Sequence, residues 1–218
     1  MYEELNNVYH KTKRLAETDH LTQLANRHRF HELASQELAE PSEQLWVIYI
    51  DLDNFKYVND KYGHELGDKL LQVFSKHIRN ACQKFTQQYN SPCFGARLSG
   101  DEFAILLSSN QENSELPDLF AAELLKPINN LTQSAKNSFP VTASVGIAQY
   151  PRDGGDIAKL LSSADAAMYQ AKRAGKNQYA YYSAALNIEA QRRSQIERAL
   201  RKANVCLLYT SPSPRDRF

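Results

Sequence analysis

Short apolar runs and helical apolar stripes alternate along this chain, and they predict an α/β domain. Leu45 to Ile50 and Phe103 to Leu107 are unbroken apolar runs with polar flanks, the pattern of strands buried on both faces. Phe94, Ala96 and Leu98 alternate into the second run, so 94–107 reads as a hairpin turning at Gly100. Leu66, Leu70, Phe74, Ile78 and Ala81 mark a long amphipathic helix; Leu116, Leu119, Phe120 and Leu124 mark another. Val141, Ala143, Val145 and Ile147 alternate with Thr142, Ser144, Gly146 and Ala148, which predicts a half-polar strand. Ile157, Leu160, Leu161, Ala164, Met168 and Ala171 give a helix ended by Gly175, and 177–182 a last short strand.

Boundary residues complete the pattern. Asn26 is an N-cap type for a helix over 27–40, which Pro41 ends, and Gly63 closes a short helix after the first strand. The order is helix, strand, paired helices, hairpin, helix, strand, helix, strand. A hairpin within it makes the sheet mixed. Near the start, Leu5, Val8, Thr12 and Leu15 are spaced as in a heptad seam. Such a helix packs on its own domain or ends a dimeric signalling helix, and two heptads do not decide between these.

Composition narrows the class. The 218 residues suit one domain with extensions. A net charge of +1 gives no electrostatic case for nucleic acid or a membrane surface. Cys82, Cys93 and Cys206 have no motif spacing, which argues against a disulfide framework or a zinc site and suits free thiols in a reducing cytoplasm. No apolar run approaches membrane-spanning length and the N-terminus is not a signal peptide. A cytoplasmic location is expected, with any tether to the inner membrane lying outside this chain.

The candidate chemistry sits at the strand ends. Asp101 and Glu102 are adjacent at the hairpin tip, where two carboxylates repel unless a cation joins them. A solvated tip is the plain alternative. Asp51 and Asp53 follow the first buried strand, where α/β sheets place ligand chemistry. Asp53 is expected to serve as N-cap of the next helix; Asp51 has no such duty. The helix start at Asn54, Phe55 and Lys56 can hold a phosphate on its free N–H groups. Asn59 and Asp68 flank the break between two helices, where each could simply cap. His64 alone suggests nothing special, and Lys172 and Lys176 fit a helix C-terminal dipole.

The conjunction of these segments resembles the GGDEF family, the diguanylate cyclases. The matching pieces are Thr18-Asp19-x-Leu21-Thr22-x-Leu24-x-Asn26-Arg27, Asp51-Leu52-Asp53-Asn54-Phe55-Lys56-x-x-Asn59-Asp60, Gly63-His64-x-x-Gly67-Asp68 and Arg97-Leu98-Ser99-Gly100-Asp101-Glu102-Phe103. Thr142-x-Ser144-x-Gly146-Ile147-Ala148 and Ala164-Asp165-x-Ala167-Met168-Tyr169-x-Ala171-Lys172-x-x-Gly175-Lys176-Asn177 follow in the family's order. The resemblance covers about residues 18–182. It implies an α/β (α+β) palm-like domain related to nucleotidyl cyclases. A central mixed sheet of about five strands would carry the signature on a β-hairpin, with helices on its flanks.

The resemblance also implies a reaction: two GTP condense into cyclic di-GMP and two pyrophosphates. Mg²⁺ (or Mn²⁺) would be held by Asp51, the carbonyl of Leu52 and Asp101, with Glu102 close by. Asp101 and Glu102 are the catalytic candidates, Asp101 as proton acceptor. Asn59 and Asp68 match guanine-binding positions, and His64 falls near the nucleotide. Asn54, Phe55, Lys56, Lys172 and Lys176 would meet the phosphates. Each domain would hold one GTP, so catalysis implies a homodimer controlled through the N-terminal helix and an upstream sensory module.

Three departures matter. Ser99 stands where the signature usually has glycine, and Lys176 where arginine is usual. The family's inhibitory product site, Arg-x-x-Asp, is replaced by Asn90-Ser91-Pro92-Cys93, so no such site is expected. Residues 184–203 resemble the linker into a downstream EAL phosphodiesterase domain. Residues 204–218 resemble a translated adapter sequence, expected to be non-native and disordered. The expected layout is thus a signalling or linker helix over 1–17, the GGDEF domain over 18–183, a linker helix over 184–203 and the tail. An active cyclase is the favoured expectation; a GTP-binding domain that regulates a neighbouring EAL domain is the alternative.

Overall fold

The computed structural model describes residues 16–40, 44–110, 115–126 and 141–185. Met1–Tyr182 form one compact unit and Ser183–Phe218 a second, of which only 183–185 are described. The heptad seam, Pro41, nearly all of the expected linker helix and the tail lie outside the described residues. The elements are β1 (Ala25–Asn26), α1 (Arg27–Ala39), β2 (Gln44–Leu52), α2 (Phe55–Tyr62), α3 (His64–Tyr89) and β3 (Cys93–Ser99). They continue with β4 (Glu102–Ser109), α4 (Leu116–Leu124), β5 (Ala143–Tyr150), α5 (Ile157–Arg173) and β6 (Tyr179–Tyr181).

The sheet is mixed and runs β1-β3-β4-β2-β5-β6. β2 is antiparallel to both β4 and β5, and β3 to β4, while β1 and β6 join in parallel at the two edges. Six strands are present against about five expected. The addition is β1, whose two residues are too few to show any alternation.

β2 lies between two cores, which is why its sequence shows no polar face. Trp46, Ile48, Ile50 and Leu52 join Phe103, Ile105 and Leu107 beneath α2, α3 and α4, through Phe55, Val58, Phe74, Ile78 and Phe120. Leu45, Val47 and Tyr49 face the other way, with Ala104 and Leu106, beneath Phe30 of α1 and Leu160, Ala164 and Met168 of α5. Period-two alternation therefore commits Asp51 and Glu102, which are partners across the β2–β4 ladder, to the α1/α5 side.

Two expectations need correction. β5 is not half-polar: Ala143 to Ala148 are buried on both faces. Its small residues admit α5 to close range. A Cβ on Gly146 would fall 1.9 Å from the Ala164 carbonyl oxygen and 2.2 Å from the Met168 nitrogen. On α4, Leu119 is 43% exposed, and the buried stripe is Leu116, Phe120, Ala121 and Leu124. The caps follow expectation at Asn26, whose side chain accepts from the Arg29 N–H at 2.9 Å, and at Gly63, whose φ of 87° joins α2 to α3.

Gly146→Ala is expected to cost about 3 kcal/mol or more, since backbone atoms of α5 must move, lowering the thermal midpoint by roughly 6–12 °C. Gly155→Ala, where a Cβ meets nothing within 4 Å, should shift it within about 1–2 °C either way. Thermal unfolding followed by circular dichroism compares the two.

Candidate active site

The β2–β4 ladder ends in acid. Asp51 is paired with Glu102 in register, and the Leu52 N–H donates to the Asp101 carbonyl at 3.3 Å, so the end of β2 is bonded to the hairpin tip. Gly100 turns the hairpin with a φ of 46°. Arg97 fixes the turn: its Nε and Nη2 donate to the Gly100 carbonyl at 2.9 and 2.8 Å, and its Nη1 meets Asp19 at 3.1 Å. Burial pulls the Asp19 carboxyl up, but the Thr22 hydroxyl and N–H, with Arg97, outweigh it and hold the acid below its usual range.

The acid cluster is only partly answered by counter-charge. Burial raises Asp51 to about 6; Lys172 opposes that shift, while the Asp101 and Glu102 charges add to it. Asp101 is also raised, first by burial and then by Glu102. Lys172 Nζ lies 2.6 Å from Asp51 Oδ1. The contact sets an ammonium against a buried carboxylate oxygen. Lys172 therefore answers the ladder acid directly and does more than complement a helix end. Oxygen donors pushed together, one of them against an ammonium, fit a hard divalent cation. Among the described residues no three His, Cys, Asp or Glu side chains form a metal cage. A cation here would rest on the two acids Asp51 and Asp101 with the Leu52 carbonyl, leaving its other positions for substrate oxygens and water, as suits Mg²⁺.

Other groups were not singled out as site residues from sequence. Asp165 lies seven positions before Lys172, on the same face of α5, and that spacing was the available signal. Its carboxyl is raised by burial and by Glu102. Burial, Glu102 and Asp165 likewise push up the Tyr49 phenol. Ser99 Oγ donates to Glu102 Oε2.

Asp53 is not a cap. Asn54 occupies the N-cap position of α2 with a φ of 61°, and Asp53 is buried. Its carboxylate accepts from Thr142 Oγ1 at 2.6 Å, Ser144 Oγ at 2.8 Å and the Asn177 N–H at 3.2 Å. This links the ends of β2 and β5 to the loop after α5. In that loop Lys176 Nζ donates to Asn54 Oδ1 at 2.8 Å, which brings Lys176 to the helix start at Asn54, Phe55 and Lys56. Phe55 is buried and Lys56 exposed.

The second cluster lies at the α2–α3 break. Asn59 Oδ1 is buried with no partner. It fills the space over Gly67, where a Cβ would come within 1.9 Å of it. Asp68 is the next residue and is exposed; His64 opens α3 and is also exposed. An orphaned buried oxygen beside an open carboxylate suits a ligand with adjacent N–H donors, which guanine has. The former product-site segment serves structure here. Asn90 ends α3 in the left-handed region, Ser91 is buried, and the Pro92 carbonyl accepts from the Ser108 N–H.

Residues 16–178 match the family model described as "Diguanylate cyclase, GGDEF domain". The chain is 56% identical over 203 residues to the biofilm architecture maintenance protein MbaA of Vibrio cholerae, covering 92% of this chain and 26% of that protein. It is 39% identical over 193 residues to MucR of Pseudomonas aeruginosa, a bifunctional diguanylate cyclase/cyclic di-GMP phosphodiesterase, covering 87% and 27%. The chain thus spans about a quarter of the length of these curated relatives. Among solved structures it is similar to the coiled coil and GGDEF domain of DgcB from Caulobacter crescentus in complex with c-di-GMP. The TM-score there is 0.66 at 29% identity, over 83% of this chain and 93% of that one.

Two stability experiments follow from the unpaired groups. The raised Asp51 carboxyl makes the folded, metal-free chain hold a proton that the unfolded chain has lost. Stability from this group is therefore full below pH ~4 and declines as pH rises through about 6. With chelator present, the stability of Asp51→Asn minus that of the parent should grow steadily from pH 4 to pH 7 in urea titrations; a flat difference contradicts the burial of this acid. Asn59→Ala removes an unsatisfied buried oxygen and should raise stability by about 1 kcal/mol, or roughly 2–4 °C in scanning calorimetry.

Proposed function

The chain belongs to the GGDEF family, and from that membership we propose that it is a diguanylate cyclase that condenses two GTP into cyclic di-GMP with release of two pyrophosphates. The observation that carries this is the acid cluster at the end of the β2–β4 ladder. Two carboxylates partly out of water, one of them against a lysine ammonium, suit a cation-bound triphosphate.

Guanine is read by the Asn59 oxygen and the Asp68 carboxylate, with His64 at the rim of the same break. A carboxylate accepts from N1–H and N2–H₂ together, and adenine offers no such pair of donors. The phosphates lie against the first turn of α2, at the N–H groups of Asn54, Phe55 and Lys56, under the ammonium groups of Lys56 and Lys176. Lys172, beside Asp51, would turn its ammonium to phosphate when a cation answers that acid. Asp51, the Leu52 carbonyl and Asp101 would hold Mg²⁺ or Mn²⁺, which would supply charge neutralisation and acidify the attacking 3′-hydroxyl. Asp101 receives the proton, and Glu102 is held at its side by Ser99.

One domain supplies one GTP, so the reaction needs a second copy facing the first, and alignment is a proximity effect. This assigns control to whatever sets dimer geometry, an upstream module being the natural source. The relatives' greater length and MucR's double activity favour a downstream phosphodiesterase domain in the intact protein. They also favour a second reading, in which this domain binds GTP and regulates that neighbour without turnover.

The purified chain, dimerised through a fused coiled coil and given GTP and Mg²⁺, is expected to yield cyclic di-GMP by chromatography. Asp101→Ala should lower the rate at least 10³-fold, about 4 kcal/mol, while still binding GTP. Asp68→Ala should weaken GTP binding by roughly tenfold or more. GTP binding with no product in forced dimers selects the regulatory reading.

A further inference from the structure

Two thiols that are eleven positions apart meet in the fold. Cys82 on α3 and Cys93 at the start of β3 stand 2.7 Å apart, sulfur to sulfur, with Cys93 donating its S–H to Cys82, and both are free. The packing of α3 on β3 explains the encounter. Ile78 and Cys82 are four apart and share a helix face; Gly95 and Cys93 are two apart and share a strand face. A Cβ on Gly95 would fall 2.5 Å from Ile78 Cγ2, so glycine there lets the helix lie close. Where Ile78 covers Gly95, the next turn brings Cys82 over Cys93. A cavity of about 480 Å³ opens at the pair, lined also by Arg79, Gln83, Thr86 and Gln87.

We propose that Cys82 and Cys93 are a reversible oxidation site, a dithiol that hydrogen peroxide entering this cavity converts into an intramolecular disulfide. Closing to the ~2.05 Å of an S–S bond needs under about 1 Å of movement. Arg79, whose Nη2 donates to the Thr22 carbonyl at 3.0 Å, places positive charge on the cavity wall. Cys93 directs its S–H at the Cys82 sulfur, and burial, then that sulfur, hold the proton there, which assigns the first attack to Cys82. Its thiolate forms an S–O bond with one peroxide oxygen as the O–O bond breaks, and the departing hydroxide takes up a proton to become water. The Cys93 sulfur then attacks this sulfenic acid; the S–S bond forms, the S–O bond breaks, and a second water leaves. The two thiols lose two protons and two electrons, and the peroxide is reduced to two waters. The proposal is independent of the cyclase reading.

The test uses the full chain, reduced, freed of thiol and held dilute. It is treated with about one equivalent of peroxide, then blocked with N-ethylmaleimide and mapped by mass spectrometry. The expected product is lighter by about 2 Da before blocking. It takes up one maleimide, at Cys206, where the reduced chain takes up three, and it yields a peptide joining Cys82 to Cys93. Dithiothreitol should restore all three sites. Cys93→Ser should leave Cys82 as a sulfenic acid that dimedone traps. Three maleimides after peroxide, a link to Cys206, or a link between chains would overturn the proposal, and the parent chain suffices for each of these.

Discussion

Mutual repulsion of carboxylates at the end of one antiparallel ladder is the constraint on which the site depends. β2 is buried on both faces from Leu45 to Ile50, so its acidic side chain at 51 is delivered to a fixed side of the sheet and partly out of water. The hairpin brings further acid to the same side through main-chain pairing that tolerates no slip, since a one-residue shift would exchange Asp51 for Leu52. Burial then makes each charge dearer, and the one lysine that reaches the ladder acid does not restore Asp51 to an ordinary acidity. A fold that holds acids in this way gives up stability at the end of this ladder.

The frame around this ladder also explains why the start of α2 and the acid cluster share one neighbourhood. Asp53, buried, gathers Thr142, Ser144 and the Asn177 N–H. Two chain segments distant in sequence, the start of β5 and the loop after α5, are thereby fixed to the end of β2 by one carboxylate, and the Lys176–Asn54 bond ties the same loop to the start of α2. Lys176 and Asn177 both take left-handed backbone there, at φ of 65° and 49°, and the bonds to Asn54 and Asp53 offset that cost. The neighbouring acid at 51 thus meets the ligand side, while the acid at 53 builds the wall.

Much of this was legible in the sequence because it follows from strong periodicity. The runs at 45–50 and 103–107, the long stripe of α3 and the hairpin at Gly100 each admit one sensible reading. What escaped was decided by tertiary contact. Asp53 has the composition and position of a cap, and only the approach of β5 gives it better donors. Ser144, Gly146 and Ala148 look like a polar-facing row, yet their smallness serves the close passage of α5. Leu119 fits a helical stripe that turns out to be shifted, with Pro117 and Ala121 facing in where Leu119 faces out. Cys82 and Cys93 carry no motif, since their meeting depends on the bare backbone of Gly95. β1 is two residues long and signals nothing by itself.

Ser99 is the departure that bears most on activity, and the backbone speaks for tolerance. A glycine is needed where φ is positive, and in this turn the positive value belongs to Gly100, not to residue 99. Serine therefore enters position 99 without backbone strain. Its Cβ lies at an exposed site, and its hydroxyl is taken up by Glu102. With glycine at 99 that carboxylate would keep the Tyr49 phenol and lose the donor within its own turn. With serine the turn supplies its own donor, which tethers Glu102 beside Ser99 and leaves Asp51 and Asp101 as the pair able to share an ion. The substitution thus narrows the part Glu102 can play at the cation without dismantling the two-acid site on which the proposed chemistry rests.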